Sequence, residues 1–125
     1  MAKILIVDDE VEIVRILEKF LTKMSYEVVS TSDGEKAISL LGEDKSLNMA
    51  ILDMKMPRIK GIDILKTMAE RNITLPVIVL TGSFDEEKYL ADLQKLGYGH
   101  DDILLKPIDL NELLTMVKEK LGKKT

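Results

Sequence analysis

Four short runs of the chain are apolar at every position: Ile4 to Val7, Met49 to Leu52, Val77 to Leu80 and Ile103 to Leu105. A strand with one solvated face alternates apolar and polar residues, whereas a strand covered on both faces has no polar side to keep. The runs therefore predict buried parallel strands. A fifth segment, Tyr26 to Thr31, is interrupted by Glu27, Ser30 and Thr31, which suits the edge of the sheet. Between these segments the apolar period changes to that of helices. The sets are Ile13, Leu17, Phe20, Leu21 and Met24; Ala37, Ile38 and Leu41; Ile64, Leu65 and Met68; Leu90, Leu93 and Leu96; and Leu110, Leu113, Leu114, Val117 and Leu121. Each set can lay one apolar stripe on a sheet. Asp109 with Glu112 and Ser32 with Glu35 have capping-box spacing and mark two helix starts.

Five strands alternating with five helices, without repeats or a linker, predict an α/β fold: a parallel sheet with helices on both faces and right-handed crossovers. The length of 125 residues, with 46% hydrophobic and 32% charged residues, fits one compact domain over residues 1–125. The formal charge of −4 argues against direct nucleic-acid binding or an anionic membrane as main partner. Lys118, Lys120, Lys123 and Lys124 are read as a solvated helix end that complements the macrodipole. The absence of cysteine excludes disulfides and thiolate metal sites, and His100, the sole histidine, cannot form a metal cluster by itself. The N-terminal apolar run is too short for a signal segment and no run has the length of a membrane span. A cytoplasmic location without membrane insertion is the expectation. The methionines, Met49, Met54, Met56 and Met68 among them, are expected to fill the core.

The chemistry is concentrated where strands end. Counting predicted strands in chain order, Asp8 and Asp9 follow the first, Asp53 closes the third, Thr81 the fourth, and Lys106-Pro107 the fifth. In a parallel sheet all C-terminal ends share one edge, so these separated residues converge on one crevice. Asp8 or Asp9 alone reads equally well as a helix cap, Thr81 as an ordinary strand residue and Pro107 as a helix-start proline. Their joint placement favours a functional site.

The motifs Ile4-Leu5-Ile6-Val7-Asp8-Asp9-Glu10, Ile51-Leu52-Asp53-Met54-Lys55-Met56-Pro57 with Gly61, Leu80-Thr81-Gly82 and Leu104-Leu105-Lys106-Pro107 occur in order along the chain. Over essentially its whole length the sequence resembles the receiver domain of bacterial two-component response regulators, of the single-domain chemotaxis-regulator kind. The resemblance implies a flavodoxin-like sheet of order 2-1-3-4-5. With that order strands 1 and 3 are neighbours, about 4.8 Å apart, and Asp8, Asp9 and Asp53 come within reach of one another. Two carboxylates about 4 Å apart repel by about 1 kcal/mol in water and about 4 kcal/mol at an effective dielectric of 20, so three ionised together call for a cation. Carboxylates without histidine or thiolate select a hard ion, and Mg2+ fits better than Ca2+, for which no loop of dedicated oxygens is present. Three carboxylates, Mg2+ and the Lys106 ammonium sum to zero charge, and a phosphoryl group on Asp53 leaves the crevice near −1.

The resemblance further implies that Asp53 accepts phosphate from a phosphohistidine on a sensor kinase or phosphotransfer protein. Asp9, Asp53 and the Lys55 carbonyl would hold Mg2+, with Asp8 acting through water, while Thr81 and Lys106 contact the phosphoryl group. It implies self-phosphorylation and autodephosphorylation rather than turnover of an external substrate, a frequently cis bond before Pro107, and a switched surface that engages a downstream protein target. Lys55 and Ser83 would tune the lifetime of the phosphate. The chain departs from the family at Ile103, where an aromatic residue usually stands three before the lysine. Output is then expected to rest on backbone movement of the Gly82 to Glu87 loop. The loop Gly97-Tyr98-Gly99-His100 lengthens the approach to the fifth strand, read as a tolerated insertion. Two alternatives are an unphosphorylated scaffold on the same fold, and a metal-dependent phosphohydrolase, which would need an acid where Lys55 stands.

Overall fold

The computed structural model describes residues 1–82 and 86–122, with the backbone alone at 86–88. The five strands are β1 (Lys3–Val7), β2 (Glu27–Thr31), β3 (Met49–Asp53), β4 (Val77–Gly82) and β5 (Ile103–Lys106). The helices are α1 (Val11–Lys23), α2 (Gly34–Glu43), α3 (Gly61–Glu70), α4 (Glu86–Lys95) and α5 (Leu110–Gly122), with a short 3-10 turn at His100–Asp102 ahead of β5. All pairings are parallel and the order is β2-β1-β3-β4-β5. This is the flavodoxin-like order that the family resemblance implied. β3 is buried at every position, whereas β2, the interrupted segment, lies at an edge and is nowhere fully buried.

The period of two divides the core. Ile4 and Ile6, Met49 and Ile51, Ile78 and Leu80, and Leu104 face Leu17 and Leu21 of α1 and Leu113 and Val117 of α5. The intervening residues, Leu5, Val7, Ala50, Leu52, Val77, Val79 and Ile103, face α2, α3 and α4. Met49, Met54, Met56 and Met68 are buried, as expected of core filler. Met24 is not part of the α1 stripe; it is the C-cap residue and 42% exposed.

Helix starts follow local chemistry. Asp109 accepts from the amides of Asn111 and Glu112 at 2.9 and 3.3 Å, as its spacing predicted. At α2 the cap is Asp33, not Ser32: its carboxylate accepts from the Glu35 amide at 2.9 Å. Adjacent Ser and Asp both suit this role, and the path out of β2 selects the second, because the Asp33 amide is tied to the Thr31 hydroxyl at 3.1 Å.

Candidate functional site

The residues that build the α1/α5 side of the sheet continue into the site. Ile4 and Ile6 lead by alternation to Asp8, Met49 and Ile51 to Asp53, and Leu104 to Lys106. Strand pairing sets β1 beside β3, and β5 two strands from β3. Three charged side chains therefore emerge on the same side of one sheet edge, and Lys106 spans the gap with its long stem. Its ammonium lies 2.6 Å from Glu10 Oε1, 3.2 Å from Asp8 Oδ2 and 3.5 Å from Asp53 Oδ2.

Asp8 and Asp53 are 1% and 3% exposed. Buried charge at this density is tolerable only if it is compensated. Asp8 Oδ1 accepts from the Glu10 amide at 2.9 Å, closing the turn that leads into α1. Its Oδ2 is enclosed, with the Lys106 ammonium in ion-pair range but no hydrogen bond directed at it. Asp53 Oδ1 accepts a long bond, 3.3 Å, from the Lys55 amide. Burial pushes the Asp53 carboxyl up to about 7, and the Asp8 charge adds to the rise, against the opposing pull of Lys106 and the Lys55 amide. Lys106 moves the other way from what burial alone would do: burial lowers it, but Glu10, Asp53 and Asp8 together hold its ammonium above the ordinary value.

Among the described residues, Asp8, Glu10 and Asp53 form a group whose carboxylate oxygens all lie within 4.8 Å of one another. Three carboxylates against one ammonium leave a net charge of about −2 there. An all-oxygen donor set with an enclosed, undirected oxygen fits a hard divalent cation.

The expected site residues are not all gathered equally. Asp8, Asp53 and Lys106 meet. Asp9 is exposed, and the third acid beside Asp8 and Asp53 is Glu10. Glu10 lies past the end of β1 as N-cap of α1, so no strand pattern indicates it; the Asp8 turn that folds its amide back onto the carboxylate does. The Lys55 side chain is exposed while its amide faces Asp53. Thr81 is buried at the end of β4, but with Val77 and Val79 it belongs to the opposite side of the sheet from Asp53, and its hydroxyl lies 3.4 Å from the Gly82 carbonyl. The Lys106-Pro107 bond is cis. Ile103 is buried, paired in register with Val79. Ser83 and most of the Gly82 to Glu87 loop lie outside the described residues.

The family model of the response regulator receiver domain matches residues 4–118. The chain belongs to that family. It is similar to the response regulator SaeR of Staphylococcus aureus (strain USA300), 36% identical over 121 residues, covering 97% of the chain and 51% of the relative. The chain thus spans about half the length of the curated relatives it matches. Among solved structures, a response regulator receiver domain protein from Clostridium thermocellum aligns at 28% identity and TM-score 0.86, covering 99% of this chain and 97% of that one. The receiver domain of the Francisella response regulator 1452 aligns at 26% and 0.87, covering both chains fully, at 100% each. The fold and the acidic crevice are those of a receiver domain of two-component signalling. Among the described residues, no helix is long and apolar enough to cross a membrane.

Proposed function

We propose that this receiver takes a phosphoryl group on Asp53 in a Mg2+-dependent reaction and thereby switches a surface read by a partner protein. The observation that carries the proposal is the meeting of Asp8, Asp53 and Lys106 at one sheet edge, with Asp8 Oδ2 enclosed and lacking a directed donor. Asp8 and Asp53, with the Lys55 carbonyl and Asp9 or Glu10 at the rim, would hold the ion. Mg2+, when bound, supplies charge neutralisation of the phosphoryl oxygens and of the crowded carboxylates.

The protein's own groups do the rest. An Asp53 carboxylate oxygen forms a bond to phosphorus as the bond from phosphorus to the donor's histidine nitrogen breaks. The nitrogen keeps the electron pair, and the product is an acyl phosphate. The Lys55 amide orients the Asp53 carboxylate for attack. Lys106 moves its ammonium from the carboxylates to a phosphoryl oxygen, and the Thr81 hydroxyl turns from the Gly82 carbonyl to donate to another. Because Thr81 starts on the other side of the sheet from Asp53, reaching the phosphoryl group moves the end of β4, and that movement supplies the conformational output. Hydrolysis reverses the modification when water attacks phosphorus and the Asp53 carboxylate leaves. The donor class is a phosphohistidine of a sensor kinase or phosphotransfer protein.

Incubation with Mg2+ and acetyl phosphate tests the proposal by intact mass. The parent should gain one phosphoryl group, and Asp53→Asn, or the parent with excess chelator, should gain none. A gain in Asp53→Asn equal to that of the parent would overturn it.

A further inference from the structure

The segment between Asp53 and α3 carries the Lys55 main chain into the site and is held by two close approaches. At one end, a side chain at Gly61 would place its Cβ 2.5 Å from the Asp53 carbonyl oxygen. The other contact is outside the site. A Cβ at Gly34, in the first turn of α2, would lie 2.6 Å from Ile59 Cβ and 2.8 Å from Ile59 Cγ2. Ile59 Cβ is bonded directly to the backbone, so side-chain rotation can move Cγ2 but cannot clear the 2.6 Å overlap; the backbone of the segment has to move.

Neither wall of this contact is free to yield. α2 is fixed to the sheet edge by the Asp33 amide on the Thr31 hydroxyl at 3.1 Å, and to the core by buried Ala37 and Leu41. Across from it, the Ile59 amide donates to the Pro57 carbonyl at 2.8 Å, and Arg58 takes a positive φ of 65° between them. Met54 and Met56 anchor the segment from inside, while Lys55 between them points outward. A displacement at Ile59 is therefore passed along a short, tethered piece of chain to Lys55, whose amide holds Asp53 by a bond already stretched to 3.3 Å.

We propose that Gly34 is a positioning residue for the Asp53 site: its bare backbone forms a seat for Ile59 that sets the Lys55 main chain against the Asp53 carboxylate. The inference rests on the function proposed above, because its consequence is read at the same site. Misplacing a ligating or orienting group by a fraction of an ångström to an ångström lowers rates steeply. Gly34→Ala should therefore weaken Mg2+ binding and slow phosphorylation by acetyl phosphate, each by about tenfold.

The test follows three readouts in the parent, Gly34→Ala, Ile59→Gly and the double variant. They are the Mg2+ dissociation constant by calorimetry, the rate of mass gain with acetyl phosphate, and the Lys55 amide resonance and its hydrogen exchange without metal. Gly34→Ala should shift that resonance and speed its exchange, and Gly34→Ala/Ile59→Gly should recover most of the loss on all three, which a general loss of stability would not do. Ile59→Gly alone, which opens the seat without overlap, should weaken Mg2+ binding and remains informative if Gly34→Ala does not fold. Parent-like Mg2+ affinity and an unmoved Lys55 amide in folded Gly34→Ala, or a double variant no better than Gly34→Ala, would overturn the inference. A parent that neither binds Mg2+ nor gains mass counts against the proposed function, and the metal-free Lys55 amide still decides the role of Gly34.

Discussion

Asp53 combines burial with two close charges of opposite sign, Asp8 and Lys106, and its titration carries a stability consequence. The folded carboxyl is raised from 3.8 to about 7, so between those values the unfolded chain has lost a proton that the folded chain retains. Without metal, stability then falls as pH rises through that window, and Asp53→Asn removes the loss. The variant should be more stable than the parent at neutral pH, with the difference shrinking to nothing as pH approaches 4, as urea midpoints measured with chelator across the range will show. Lys106 competes with a bound cation for the same oxygens. Lys106→Met should tighten Mg2+ binding in calorimetry while slowing phosphorylation by acetyl phosphate, since the same ammonium is needed on the phosphoryl group. Lys55 offers an exposed positive charge two residues from Asp53. Lys55→Ala should shorten the lifetime of the phosphorylated form, measured as mass lost after the donor is removed.

Among the elements, the segment from β3 into α3 is the most constrained. A Cβ at Gly61 would meet main-chain atoms of Asp53 and Met54 at 2.5 to 3.1 Å, so Gly61→Ala should destabilise the fold by about 1–3 kcal/mol, read as a lowered urea midpoint with unchanged slope. The elements themselves were legible from pattern because burial on both faces leaves an unbroken apolar run, and the edge position of β2 showed in its polar interruptions. The strand-end residues Asp8, Asp53 and Lys106 were legible for the same reason, since alternation carries the α1/α5 face directly into them. What pattern cannot carry is direction beyond the last strand residue. Glu10 enters the acidic group, and Asp9 does not, through one turn of backbone; Asp33 rather than Ser32 caps α2 for a similar reason. The hydroxyl of Thr81 was expected at the crevice, yet alternation carries Thr81 with Val77 and Val79 to the α2 to α4 side of the sheet, and its hydroxyl lies 3.4 Å from the Gly82 carbonyl. Ile103 is packed in the α2 to α4 core, where Tyr98 also packs, so the aliphatic residue at the usual aromatic place serves the core in this conformation.

At the scale of the whole molecule, one edge of a five-stranded sheet holds acids from β1 and β3 and the Lys106 amine from β5 so close that a divalent cation would relieve their excess negative charge and leave the crevice able to take a phosphoryl group. Helices cover both faces of the sheet that carries that edge, and the segment against Gly34 keeps the Lys55 main chain aimed at Asp53. The most direct test locates the modification. The protein is treated with Mg2+ and acetyl phosphate, reduced with borohydride to convert an acyl phosphate to an alcohol, and read by peptide mass spectrometry. The account predicts conversion at residue 53 alone, dependent on Mg2+. Conversion at another residue, or none while the protein stays folded and Mg2+ is bound, would contradict it.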